Sequence, residues 1–140
     1  MGLILCATRG GEASFRTQNA AIALAKERGD EVAFLYVVDL NFLDKTAAPI
    51  VVDVENEISQ MGKFLLLVAK ERATDQGVEA RMISRKGKVR EKIKQTAIEI
   101  GATLVVLGRP AGETSAFRLS SLEAYAQEIQ KETGIETQIV

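Results

Sequence analysis

Five short runs rich in valine, isoleucine and leucine alternate with four longer segments of helical periodicity, and no other feature constrains the fold as strongly. The runs cover Leu3 to Thr8, Glu31 to Val38, Val78 to Ser84, Thr103 to Gly108 and Glu136 to Val140, bounded by glycine, aspartate or charged residues. Their apolar content predicts central, buried strands. Parallel strands need a crossover, and an intervening helix supplies one. Strict alternation therefore predicts a single α/β domain over residues 1–140, a doubly wound, mostly parallel sheet with helices on both faces.

Each helical segment carries its own stop. Ala20, Ala21, Leu24 and Ala25 form a small-residue stripe that ends at Gly29, which predicts a helix packed closely on the sheet. From Asp53 to Gln76, Ile58, Met61, Leu65 and Val68 recur at helical spacing before Gly77. Val89, Ile93, Ala97 and Ile100 line the next helix, closed by Gly101. Leu122, Ala126 and Ile129 line the last, with Ser120 and Glu123 spaced as a capping box and Gly134 at the end. The one long irregular stretch, "DLNFLDKTAAPIV", follows the second strand; Phe42, Leu43, Pro49 and Ile50 there cap the edge of the core or form a lid.

Composition removes several kinds of chemistry. The 140 residues include no histidine, one cysteine and no tryptophan, with a formal net charge of −1. Without imidazole there is no Ser-His-Asp or Cys-His catalysis in cis and no imidazole metal site. Cys6, inside the first strand, reads as a small buried hydrophobe, and a lone cysteine fits a reducing, cytoplasmic setting. No apolar stretch approaches the roughly 18 residues of a membrane span. Between Arg81 and Lys94 lie seven basic residues and one acid, a local charge of +6. No aromatic residue interleaves them, so this reads as a solvated helix face rather than a nucleic-acid surface, with Lys86 and Lys88 placed to add positive field to an anionic ligand. Asp39, with Asp44 nearby, could bind a ribose or a metal, but an aspartate at a strand end is ordinarily a turn former; "DVENE" suits a first helical turn.

In an open parallel sheet, ligands bind beyond the carboxyl ends of the strands, where the strand order reverses. Two loops stand out. The first strand runs into "ATRGGEAS" and the fourth into "GRPAGETSAFRLSS"; each offers glycine for close backbone approach and an early arginine, Arg9 or Arg109. The second loop adds Gly108, Gly112, Ser120 and Ser121 ahead of a helix start, which suits phosphate, although turns and helix caps use the same residues. The chain lacks the paired acids of a response regulator after strand one, and it lacks aromatics placed to sandwich a flavin.

The segments "ILCATRGGEAS", "RKGKVREKIKQTAIEIGATLVVLGRPAG" and "SSLEAYAQEI" with "TQIV" resemble the universal stress protein family over nearly the whole chain. That resemblance implies a five-stranded sheet of order 3-2-1-4-5, dimerisation through the last strand and, in one branch, ATP binding through G-x-x-G-x9-G-[ST]. Gly108 matches the first glycine of this motif; the second falls on Ala111 or, one residue later, on Gly112, and the final pair becomes Ser120 and Ser121. Where the family has "P-T-D", this chain reads Ala7-Thr8-Arg9, replacing a hydrogen-bond acceptor with a donor. Val37 matches a position that meets adenine through its backbone.

The resemblance thus implies a nucleotide of ATP or AMP type, with Mg²⁺ if ATP, or another anionic small molecule, bound between the two loops. Ala7, Thr8, Arg9, Val37, Gly108, Arg109, Gly112, Ser120 and Ser121 are the candidate contacts, and any hydrolysis of ATP is expected to be slow. The alternative is a dimeric interaction module of the same family that has lost its ligand.

Overall fold

Alternating side chains along the predicted strands face two separate layers of helices. The computed structural model describes residues 2–8, 12–38, 48–109 and 115–140. They form β1 (Leu3–Ala7), α1 (Glu12–Arg28), β2 (Glu31–Val38), α2 (Ala48–Asp75), β3 (Ala80–Lys86), α3 (Val89–Ile100), β4 (Leu104–Leu107), α4 (Ser115–Thr133) and β5 (Glu136–Ile139). The strands are all parallel, in the order β3-β2-β1-β4-β5.

The period of two assigns the layers. Ile4, Cys6, Phe34, Tyr36, Leu104 and Val106 pack with Ala21, Ile22 and Ala25 of α1 and Leu66, Ala69 and Ala73 of α2. Leu3, Leu5, Leu35, Val105 and Leu107 face the other way, onto Ile93 and Ala97 of α3 and Tyr125 and Ile129 of α4. The predicted helix stops at Gly29, Gly77, Gly101 and Gly134 all have positive φ. At Gly101 (φ 68°) the turn lets the Ala102 amide return to the Ala97 carbonyl at 2.9 Å. No helix of the described residues is long and apolar enough to cross a membrane.

Four expectations change. The strands are not all buried: β3 is an edge strand with Met82 45% exposed, and Arg81, Arg85 and Lys86 give it the charge that discourages further strand pairing. Helix α2 starts at Ala48 rather than Asp53, because Pro49 falls in the first turn, where its missing N–H breaks no helical bond. That takes residues 48–51 out of the irregular stretch; residues 39–47, including Asp39, Phe42, Leu43 and Asp44, lie outside the described residues. Met61 is 55% exposed, since the inward face of α2 runs through Ile58, Gly62, Leu65, Leu66, Ala69 and Ala73. Finally, α4 begins at Ser115, so Ser120 and Glu123 sit inside the helix and form no capping box; "SAFRL" contains no glycine or proline to delay the start.

Candidate functional site

The chain leaves β1 for β2 and β3 on one side of the sheet, then crosses to β4 and β5 on the other. The switch point therefore lies between the carboxyl ends of β1 and β4. Cys6 pairs in register with Val106, which brings Thr8 and Gly108 alongside each other just beyond the strand ends. Helix α1 passes directly over both through Thr17 and Gln18.

Thr8 is 2% exposed. Its amide donates to the Leu35 carbonyl at 2.8 Å, and its Oγ1 accepts a hydrogen bond from Gln18 Nε2 at 2.7 Å. Gln18, also 2% exposed, accepts at Oε1 from Arg72 Nη1 of α2 at 2.6 Å. Arg72 also donates to Asn19 Oδ1 and stacks over the Phe15 ring, 4.8 Å from its centroid. A buried polar chain thus runs from α2 through α1 to the end of β1. Neither Gln18 nor Arg72 is among the residues expected from the sequence. The signal was present for Gln18, which stands on the same helical face as Ala21, Ile22 and Ala25, so a polar side chain there needs a buried partner.

Gly108 has a structural reason to be glycine. A Cβ on it would lie 2.2 Å from Thr17 Oγ1, so the missing side chain lets α1 settle against β4. The Arg109 amide donates to the Val140 carbonyl at 2.9 Å, continuing the β4–β5 ladder, and is thereby committed. Ala7 and Val37 are half-buried and pack against the α3–α4 layer. Arg9 and Gly112 lie outside the described residues.

Ser120 is exposed, and Ser121 Oγ accepts from Arg90 Nη2 of α3 at 2.8 Å. The two serines are in the body of α4, not at its amino end as expected. The Arg90 guanidinium lies 5.1 Å from the centroid of the Tyr125 ring, whose hydroxyl donates to the Arg90 carbonyl. Burial raises the Tyr125 pKa; the charge of Arg90 opposes the rise and that of Glu128 adds to it. Arg90 is thus a third residue, after Gln18 and Arg72, that was not among those expected from the sequence.

Much of the basic segment is neutralised locally. Arg81 pairs with Glu31 at 2.7 Å, Arg85 with Glu99 at 3.4 Å, and Lys94 with Glu128 at 3.7 Å and with Glu132. Arg90 instead makes its described contacts with a hydroxyl and a ring. Cys6 is fully buried, and desolvation pushes its thiol up to about 12, so it is inert as a nucleophile.

An open groove of about 570 Å³ lies at the opposite, amino ends of the strands. Several of its polar groups satisfy one another: the Gly2 amide donates to Asp30 Oδ1 at 2.7 Å, the Leu3 amide to Thr103 Oγ1 at 3.0 Å, and Arg81 pairs with Glu31. Its size therefore does not make it the site; the switch point is preferred on topology.

Residues 1–129 match the model of the universal stress protein family. The chain is 30% identical over 113 residues to universal stress protein YxiE of Bacillus subtilis, covering 75% of this chain and 76% of the relative. Two solved structures share the fold. A universal stress protein in complex with cAMP is 15% identical with a TM-score of 0.68, covering 99% of this chain and 96% of the other. The universal stress protein from Archaeoglobus fulgidus in complex with dAMP is 17% identical with a TM-score of 0.60, again covering 99% and 96%.

Proposed function

Since the chain belongs to the universal stress protein family, we propose that it binds an adenine mononucleotide, or a related anionic small molecule, across the carboxyl ends of β1 and β4 and acts by binding rather than by catalysis. The observation that carries this reading is the polar chain ending on Thr8, beside β4 at the switch point of the sheet. Two relatives of the same fold, named for complexes with cAMP and dAMP, support the ligand class.

In this reading the backbone at Ala7 meets the ligand from β1, Val37 lies beside the base, and Thr8, Arg9, Arg109 and Gly112 approach its anionic end. Ser121 and Ser120 act from α4, with Arg90 setting the orientation of Ser121. Where the ligand is ATP, Mg²⁺ would be held chiefly by the phosphates and water, because among the described residues no three acidic or thiol side chains converge. Calorimetric titration with AMP, ATP and a cyclic dinucleotide tests the proposal; heat with the first or second supports it, and no heat with any of the three overturns it.

One observation favours a second reading, a ligand-free dimeric module. Gly108 is explained by Thr17 and the Arg109 amide by the ladder, so neither requires a ligand. In that reading the half-exposed edge strand β5 pairs with a second copy. Co-purified nucleotide separates the two: with two tyrosines and no tryptophan, the protein's own ultraviolet background is low. A bound nucleotide would raise the 260/280 nm absorbance ratio, whereas a clean protein that is dimeric in light scattering would favour the module.

A further inference from the structure

The hydrogen-bond chain behind Thr8 has a direction. A guanidinium offers only donors, so the group of Gln18 that faces Arg72 must be its carbonyl oxygen, Oε1, at 2.6 Å. The amide is planar, so its NH₂ then faces Thr8, and Nε2 donates to Thr8 Oγ1 at 2.7 Å. Thr8 is therefore an acceptor on its inner side, and its single proton serves an acceptor other than Gln18. The described contacts of Arg72 are all with neutral groups, namely Gln18, Asn19 and the Phe15 ring. Its charge polarises the chain in the same sense along both links, which strengthens the outer hydroxyl as a donor.

We infer that Arg72 and Gln18 are positioning residues that make Thr8 a polarised hydrogen-bond donor to the bound ligand, so that the site favours a phosphate ester over the corresponding neutral nucleoside. This inference rests on the binding site proposed above. It accounts for an amide buried on the helix face that carries Ala21, Ile22 and Ala25 and for an arginine whose described partners are neutral. It also separates Thr8 from an acidic side chain at the strand end, which would accept hydrogen bonds from a ribose rather than donate to an anion.

The experiment measures AMP and adenosine affinities by calorimetry for wild type, Gln18→Met, Thr8→Val and the double variant. Gln18→Met keeps the size and neutrality of the side chain but removes both hydrogen bonds. The preference for AMP over adenosine is expected to fall about tenfold in Thr8→Val, where a hydrogen bond to a charged group is lost, about threefold in Gln18→Met, where the hydroxyl stays but is no longer oriented or polarised, and no further than about tenfold in the double variant. A ratio unchanged in Gln18→Met, or one that falls again when Gln18→Met is added to Thr8→Val, overturns the inference. Should Gln18→Met fail to fold, Arg72→Met at the partly exposed end tests the same chain. It is expected to lower the ratio about threefold in wild type and not at all in Thr8→Val; an equal fall in both backgrounds would mean a general field effect and overturn the inference. A wild-type protein that binds no AMP removes the proposed site itself, and the inference with it.

Discussion

The end of β1 and the junction of α3 with α4 both bring an arginine to a neutral oxygen, but in different surroundings. Arg72 donates to an amide that is almost wholly buried, and that amide reaches the hydroxyl of Thr8, a residue only 2% exposed. Arg90, itself exposed, donates to a half-exposed serine and lies over the edge of the core at the buried Tyr125 ring. At the second place water reaches both the arginine and the serine; at the first it reaches Arg72 but not the Gln18 amide. A lost contact behind Thr8 therefore leaves an orphaned polar group, while a lost contact at Ser121 is rehydrated. For the ligand site proposed above, orientation is the more valuable property, and the buried network is the one that would supply it.

The largest test of this contrast is steric. Gly108→Ala forces a Cβ against Thr17 in the same buried layer and is expected to cost about 3 kcal/mol in urea unfolding, with much of it recovered by adding Thr17→Ala. A cost well under 1 kcal/mol would show that α1 is free to shift and that the network above Thr8 is soft. An alkaline titration probes the same region next. The folded thiol of Cys6 holds its proton to about pH 12, whereas the unfolded one loses it near its ordinary value of 9.0. The raised pKa means stability is intact below pH 9 and falls through the window above it, by about 1.4 kcal/mol per pH unit for this group. Cys6→Ala should flatten that slope, leaving the part due to Tyr125, whose pKa burial also raises.

The direct comparison is Arg72→Met against Arg90→Met. The first is expected to lower stability by about 1 kcal/mol and the second by less than about 0.5 kcal/mol, measured by thermal unfolding. Equal costs would dissolve the distinction between the two places. The smallest effect belongs to Lys94→Ala at the exposed pair with Glu128 and Glu132, where melting should be indistinguishable from wild type in 1 M salt.

The reach of the sequence follows the same division between local and distant. Strand positions, helix stops and the alternation of layers depend on neighbours within a few residues, and the glycines at 29, 77, 101 and 134 mark the stops by composition alone. The starts of α2 and α4 were less legible, because Pro49 and the "SAFRL" run are compatible with either loop or first turn. The exposure of β3 depends on its place at the edge, which only the strand order decides. At the proposed site, the loops after β1 and β4 that carry Thr8 and Gly108 were readable as neighbours once the strand order was expected. The contacts that orient the site were not, because Arg72 lies 54 residues from Gln18 and Arg90 lies 31 from Ser121. No periodicity links such pairs.

The close passage of α2 over β2 bears on how this sequence can vary. A Cβ on Gly62 would stand 2.4 Å from Cδ1 of Tyr36, so helix and strand share one volume, filled entirely by the tyrosine ring. The two positions are therefore expected to exchange size: relatives with alanine or serine at the helix position should carry a smaller side chain on the strand. Neither substitution is neutral alone, so this part of the sequence should change in pairs, with the order of events set by which single step the fold tolerates better.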